Sequence, residues 1–196
     1  MENKMEEISL QRKLEALGQN GTLIRKDGKT FLQLDCENAK ELSMKWGEKL
    51  YPFTKTGKKW ILELPFSTAV NYVQICVDGQ EVLSPELPIA HGYGRPYNYI
   101  ELPDEDGLFE LRDVPHGTLT QEFYKSKISD NWEKLILYLP PCVPSAGLPV
   151  LYLQHGFGES EISWSTTGKV NILMDNLIAA GKIKPFAIVM GNGMVK

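Results

Sequence analysis

The 196 residues carry 21 Lys plus Arg against 25 Asp plus Glu, a formal net charge of −4, with 42% hydrophobic and 23% charged side chains. This is the mix of a chain that buries a core, which excludes disorder as the main state. There is no basic surplus to drive binding to nucleic acid or an anionic membrane surface, and no run of about 18 apolar residues that would predict a transmembrane helix.

The acidic start, Met1-Glu2-Asn3-Lys4-Met5-Glu6-Glu7, lacks the apolar stretch of a secretory signal, which makes a cytoplasmic protein the expectation. Cys36, Cys76 and Cys142 are odd in number and far apart, so they read as buried or half-buried thiols; a Cys36–Cys76 bridge is not required. Leu10, Leu14 and Leu17 recur at helical spacing before Gly18 and predict an amphipathic helix over 6–17, within an N-terminal segment 1–20.

Over 21–90 the hydrophobic period becomes two. Leu32, Leu34 and Cys36 alternate with polar residues, as do Leu42, Met44 and Trp46; Trp60, Leu62 and Leu64 form a similar run, and so do Val73, Ile75 and Val77. Asp27-Gly28, Thr56-Gly57-Lys58 and Asp78-Gly79 supply turns between these runs. Short alternating strands without helical patterns between them predict an antiparallel β-sandwich of immunoglobulin-like type. Residues 91–117 hold Pro96, Pro103 and Pro115 with Gly92, Gly94 and Gly107, and predict an ordered linker anchored by Tyr93, Tyr97, Tyr99 and Phe109.

From 118 to 196 the pattern changes again. Strands are predicted at 119–128, 134–139, 149–154 and 186–190. A helix is predicted at 168–180, with Thr166 or Thr167 as its cap and Gly181 as its stop. Apolar strands joined through a helix point to a parallel sheet covered on both faces. The charge changes too: 14 basic against 19 acidic residues lie before position 118, and 7 against 6 lie from there on.

The stretch richest in chemistry is Leu151-Tyr152-Leu153-Gln154-His155-Gly156-Phe157-Gly158-Glu159-Ser160, followed by Trp164. Glycines directly after a buried strand turn the chain sharply and leave backbone N–H groups pointing outward. Acyl transfer needs such donors where a tetrahedral oxyanion develops.

Several further pieces stand in order around it. They are His116-Gly117-Thr118, Tyr138-Leu139-Pro140-Pro141, Asp175-Asn176-Leu177-Ile178-Ala179-Ala180-Gly181-Lys182-Ile183-Lys184-Pro185, and Val189-Met190-Gly191-Asn192-Gly193. With Pro149 to Gly156 and Trp164 they resemble the opening of the esterase family of α/β-hydrolases that includes enterochelin (siderophore) esterases, feruloyl and acetyl xylan esterase domains, and esterase D-like enzymes. The segment ending in Val77-Asp78-Gly79 and Pro85 resembles the early-set Ig-like sandwich that often precedes these domains.

The resemblance implies a mixed fold: an Ig-like antiparallel sandwich (21–90), then the first four strands and first helix of a three-layer αβα hydrolase domain (118–196). It implies a serine carboxylic ester hydrolase whose oxyanion donors lie among Gly156, Phe157 and Gly158. The expected substrate is a small-molecule or oligosaccharide-linked ester, with no cofactor, metal, nucleic acid or membrane partner.

The catalytic residues are where this chain departs from the family. The family places its nucleophile in a Gly-x-Ser-x-Gly elbow, followed by an acid and then a His. No serine here has Gly at both −2 and +2; Ser160 follows Gly158 but precedes Ile162. The nucleophile, acid and base are therefore expected beyond Lys196. On that expectation the chain is an N-terminal fragment without the Ser-Asp-His triad, inactive alone. The alternative is a non-catalytic carbohydrate- or partner-binding module built on the sandwich, in which Trp46 and Trp60, read first as core on alternating strand faces, would be its stacking pair. His155 reads as a loop brace, His116 as a turn or interdomain hydrogen-bonding residue with a place at the pocket rim as the alternative, and His91 as a surface residue. Glu159 and Glu161 read as solvated loop carboxylates. Trp164 reads as either a wall of the substrate pocket or packing at a helix start.

Overall fold

The computed structural model describes residues 6–9, 22–143 and 147–193, and these are mostly β-sheet with few helices. Lys196, the position beyond which the catalytic triad is expected, lies outside the described residues. The described residues form two compact units. Those up to Ala90, with Pro96–Leu102, make the first; His91–Arg95 and those from Pro103 onward make the second.

In the first unit, β1 (Glu6–Ser9), β2 (Thr22–Lys26), β3 (Lys29–Asp35), β6 (Thr54–Thr56) and β7 (Lys59–Glu63) form a sheet ordered β1-β2-β3-β7-β6. A second sheet runs β10 (Ile89–Gly92), β11 (Arg95–Glu101), β8 (Val70–Val77), β4 (Leu42–Trp46), β5 (Lys49–Pro52), with β9 (Gln80–Val82) beside β8. The recorded pairings within these sheets are antiparallel, as two-residue turns between strands require. Leu23, Leu32, Leu34, Trp60 and Leu62 from one sheet share a single core with Leu42, Met44, Val73, Ile75 and Ile100 from the other.

Three expectations change here. Glu6–Ser9 is a strand in register with β2, not the first turn of a helix; the rest of the expected 6–17 helix lies outside the described residues. The expected linker 91–117 contains β11, whose Asn98 and Ile100 point inward. The favoured core reading of the tryptophans holds, with Trp60 in the core and Trp46 half-buried against it. Trp60 is only 5% exposed and its indole N–H donates to the Cys36 carbonyl, while Trp46 packs on Phe66 with ring centroids 5.0 Å apart. Cys36, Cys76 and Cys142 are free thiols, and Cys142 is exposed rather than buried.

The second unit is built on β12 (Thr118–Lys125), β13 (Trp132–Leu139), β14 (Val150–Tyr152) and β15 (Ala187–Gly191), ordered β12-β13-β15-β14. This sheet is mixed: β12–β13 and β13–β15 are antiparallel and only β14–β15 is parallel, which corrects the expected parallel sheet. Two helices, α1 (Ser163–Thr166) and α2 (Val170–Ala179), connect β14 to β15. Ile136, Tyr138, Ile188 and Met190 of the sheet pack against Val170 and Met174 of α2.

Gly181 ends α2 as expected. It takes φ +65°, its N–H donates to Ile178, and the Lys182 N–H donates to Leu177, the bonding pattern of a Schellman cap. The start differs. Thr166 and Thr167 hydroxyls bond carbonyls within α1, and Lys169 in a left-handed conformation begins α2 without a side-chain cap.

Candidate functional site

The loop from Gln154 to Ser163 leaves β14 through a tight turn in which the Glu159 N–H donates to the Gly156 carbonyl at 3.2 Å. Gly158 sits at the third position of this turn with φ +71°, where a side chain would be strained. A second constraint acts at the same glycine. Its carbonyl accepts the Gly94 N–H at 3.0 Å, and a Cβ there would come within 2.1 Å of the Gly94 nitrogen. Residues 91–95 thus press backbone to backbone against the loop.

The donors of the turn are not equivalent. The Gly156 N–H donates to Glu159 Oε2 at 3.0 Å. The Phe157 and Gly158 N–H groups find no hydrogen-bond partner among the described residues, and Phe157 is 85% exposed. Two free amide donors at an exposed tip can meet a negatively charged oxygen. Of the three positions expected to hold these donors, Gly156 is engaged by Glu159, while Phe157 and Gly158 are free.

His155 spans the base of the loop. Its Nε2 accepts the Gly193 N–H at 3.1 Å and its Nδ1 lies 2.8 Å from the Gly156 carbonyl oxygen, so Nδ1 carries the proton. Trp164 donates its indole N–H to the Gln154 carbonyl at 2.8 Å, and its ring lies against Gly168, where a Cβ would meet it at 2.8 Å. The Trp164 indole is therefore fixed on the loop's first residue while remaining 37% exposed.

Glu161 departs most from expectation. It is 1% exposed rather than solvated. Lys134 of β13 lies 2.7 Å from its Oε1, and the Asn192 amide donates to its Oε2 at 3.0 Å. Burial pushes this carboxyl up, but the Lys134 ammonium and the hydrogen bonds outweigh it and hold the group below the ordinary glutamate value. Glu159 is likewise no free loop carboxylate, since it caps the Gly156 N–H.

His116 lies in a separate network. Its Nδ1 is 2.9 Å from Asp175 Oδ2 and its Nε2 is 3.0 Å from the Arg112 carbonyl oxygen, so both ring nitrogens face acceptors. Asp175, 2% exposed, also accepts the Gly117 N–H and the Tyr138 hydroxyl. Burial and then the Asp175 carboxylate push the Tyr138 hydroxyl far above its ordinary range, so it stays a donor. Asn176 donates to the Leu108 and Glu110 carbonyls. Asp175 and Asn176 of α2 thus pin segment 108–117. Among the described residues, no three His, Cys, Asp or Glu side chains gather as a metal site.

Comparison with known proteins finds esterases. The chain is 36% identical over 140 residues to an endo-1,4-beta-xylanase/feruloyl esterase of Xylanibacter ruminicola, a match covering 67% of this chain and 19% of that protein. The enterobactin esterase of Shigella flexneri, in the presence of enterobactin, superposes with a TM-score of 0.61 over 95% of this chain and 58% of that one, at 11% identity. A ferulic acid esterase of Anaeromyces mucronatus in complex with ferulic acid matches 45% of this chain and 33% of its own, at 23% identity and a TM-score of 0.41. No family model matches. The chain spans less than two thirds of each of these proteins.

The residues that sequence reasoning left without a role are Lys134, Asn192, Gly193 and Gly94. Asn192 and Gly193 were legible only as part of the Val189–Gly193 piece that carries the family resemblance. Lys134 and Gly94 carried no signal, because their partners are 27 and 64 residues away in sequence.

Proposed function

We propose that this chain carries half of the oxyanion-binding apparatus of a serine carboxylic ester hydrolase of the enterochelin and feruloyl esterase type. On this reading the first unit is an Ig-like sandwich, and the second is the opening strands and first helix of an α/β-hydrolase domain. The observation that carries it is the turn after β14, where the N–H of the exposed Phe157 has no hydrogen-bond partner among the described residues, in a His-Gly-x-Gly loop. A tetrahedral intermediate places its negative oxygen at such donors, and removing one costs about 10²–10³ in kcat. The 36% identity to a xylanase/feruloyl esterase supports the same chemistry.

The Gly-x-Ser-x-Gly elbow is absent from these 196 residues, so the nucleophile, acid and base are assigned to polypeptide beyond Lys196. The substrate proposed is an ester of a small aromatic acid, free or oligosaccharide-linked. Turnover of p-nitrophenyl acetate and methyl ferulate should be measured for the 196-residue chain and for the complete reading frame that contains it. Only the latter is expected to be active. Phe157→Pro removes the donor at a turn position that suits proline, and is expected to lower kcat about 10²–10³-fold with KM little changed. A reading frame without the elbow, or turnover by the 196-residue chain that survives a serine-directed inhibitor control, would overturn the assignment.

A further inference from the structure

The motif Gly191-Asn192-Gly193 takes no part in the chemistry above. The structure gives its last two residues contacts at opposite ends of the loop. The Gly193 N–H donates to His155 Nε2, and His155 in turn reaches the Gly156 carbonyl, at the start of the turn. The Asn192 amide donates to Glu161, three residues after Gly158, and the other oxygen of that carboxylate meets Lys134 on β13. Position 193 also sits tightly over the Gln154 side chain, within 2.2 Å of where a Cβ would stand.

We propose that Asn192-Gly193, together with the buried Glu161–Lys134 pair, is a clamp that sets the geometry of the 155–161 loop, with Asn192 and Glu161 as its positioning residues. The physical reason is that the sheet does not hold the loop through its other bonds: Gly94 meets its tip at Gly158, and the remaining bonds cited above are local. The Glu159 cap on Gly156 and the turn bond from Glu159 N–H to Gly156 are both made within the loop. Local bonds fix the shape of a turn but not its position on the sheet. Asn192 and Lys134 extend from β15 and β13, which pair with each other, so the clamp refers the loop to a rigid sheet. Glu161 satisfies both partners from a buried position, where its charge is held in one place rather than screened by water.

This inference rests on the oxyanion role proposed for the loop, but its test does not use activity. Amide hydrogen exchange by NMR on the full chain reads the clamp at the Gly156, Glu159 and Gly193 amides. Asn192→Asp sets a second carboxylate beside Glu161, and Asn192→Ala, the milder cut, simply removes the bond. In both variants these three amides are expected to lose protection at least tenfold, while Ile136 and Ile188 in the sheet keep theirs. The His155 ring nitrogen signals are expected to lose the Nδ1–H tautomer pattern. In Glu161→Gln/Asn192→Asp, amide and carboxylate exchange places, Lys134 keeps an acceptor, and protection is expected to return. Unchanged protection in the single variants, equal loss across the sheet, or no recovery in the double variant would overturn the clamp. None of these results bears on whether the complete protein hydrolyses esters.

Discussion

Two buried glutamates show how one residue type acts in opposite directions. Glu161 is held below its ordinary value: burial raises it, but Lys134 and Asn192 outweigh burial. Its folded form therefore binds a proton less readily than its unfolded form. The stability it contributes is present above the ordinary glutamate value and is lost as pH falls through the lower folded one.

Glu86 in the first unit is raised. Burial dominates there, and the Asp35 charge adds to it against the Asp35 N–H bond and Lys59. Its contribution is fully present below the ordinary value and is lost as pH rises through the higher folded one. Thermal melts from about pH 3 to pH 7 should separate the two, since ordinary glutamate titrates near 4.3. Glu161→Gln is expected to lose progressively more Tm relative to wild type as pH rises through this range, and Glu86→Gln to lose progressively less or to gain. The sequence showed both as acidic residues near glycine or proline and gave no sign of burial, because their partners come from other strands.

At the scale of elements, the turn after α2 and the turn after β14 both depend on a glycine, for different reasons. At Gly181 only the backbone angle is demanding, since nothing lies within 4 Å of a Cβ there. Gly181→Ala is expected to cost about 1–2 kcal/mol in urea unfolding, the ordinary penalty of a left-handed L-residue. At Gly158 the same angle is combined with backbone atoms of Tyr93 and Gly94, which no rotamer change can move aside. Gly158→Ala is expected to cost clearly more and to expose the Gly94 amide to exchange.

The α2 stop was legible because a Schellman cap is local chemistry. β11 was hidden because both of its faces carry large or amide side chains: Tyr97 and Tyr99 face one way, Asn98 and Ile100 the other. Alternation of hydrophobic with polar is lost in such a strand. Asn98 is buried because its side chain bonds Ser84 and the Leu87 carbonyl, a contact between segments that no periodicity reveals.

At the scale of the whole molecule, the second unit has an open strand. β14 pairs with β15 on one side and, among the described residues, with nothing on the other. Val150, Leu151 and Tyr152 are all exposed, Tyr152 to 78%. An apolar edge of this kind is a template for pairing with another strand. Sedimentation at tens of micromolar is expected to show concentration-dependent association of this chain, with Leu151→Lys shifting it toward monomer by placing a charge on the edge. A monomeric wild type over that range would remove the edge as the cause of association.

The sequence by itself determined the period-two region, the apolar strands of the second half, the helix that joins them and the glycine-rich turn after β14. All of these follow from spacing within a few residues. Only the tertiary structure decided that Trp60 donates its indole N–H to the Cys36 carbonyl, that the second sheet is mixed, and that Gly156 is capped while the Phe157 N–H has no partner among the described residues. It also decided that Glu161 is buried between Lys134 and Asn192. Each of those facts depends on a partner distant in sequence, where hydrogen-bond geometry and exclusion of water, rather than local pattern, set the outcome.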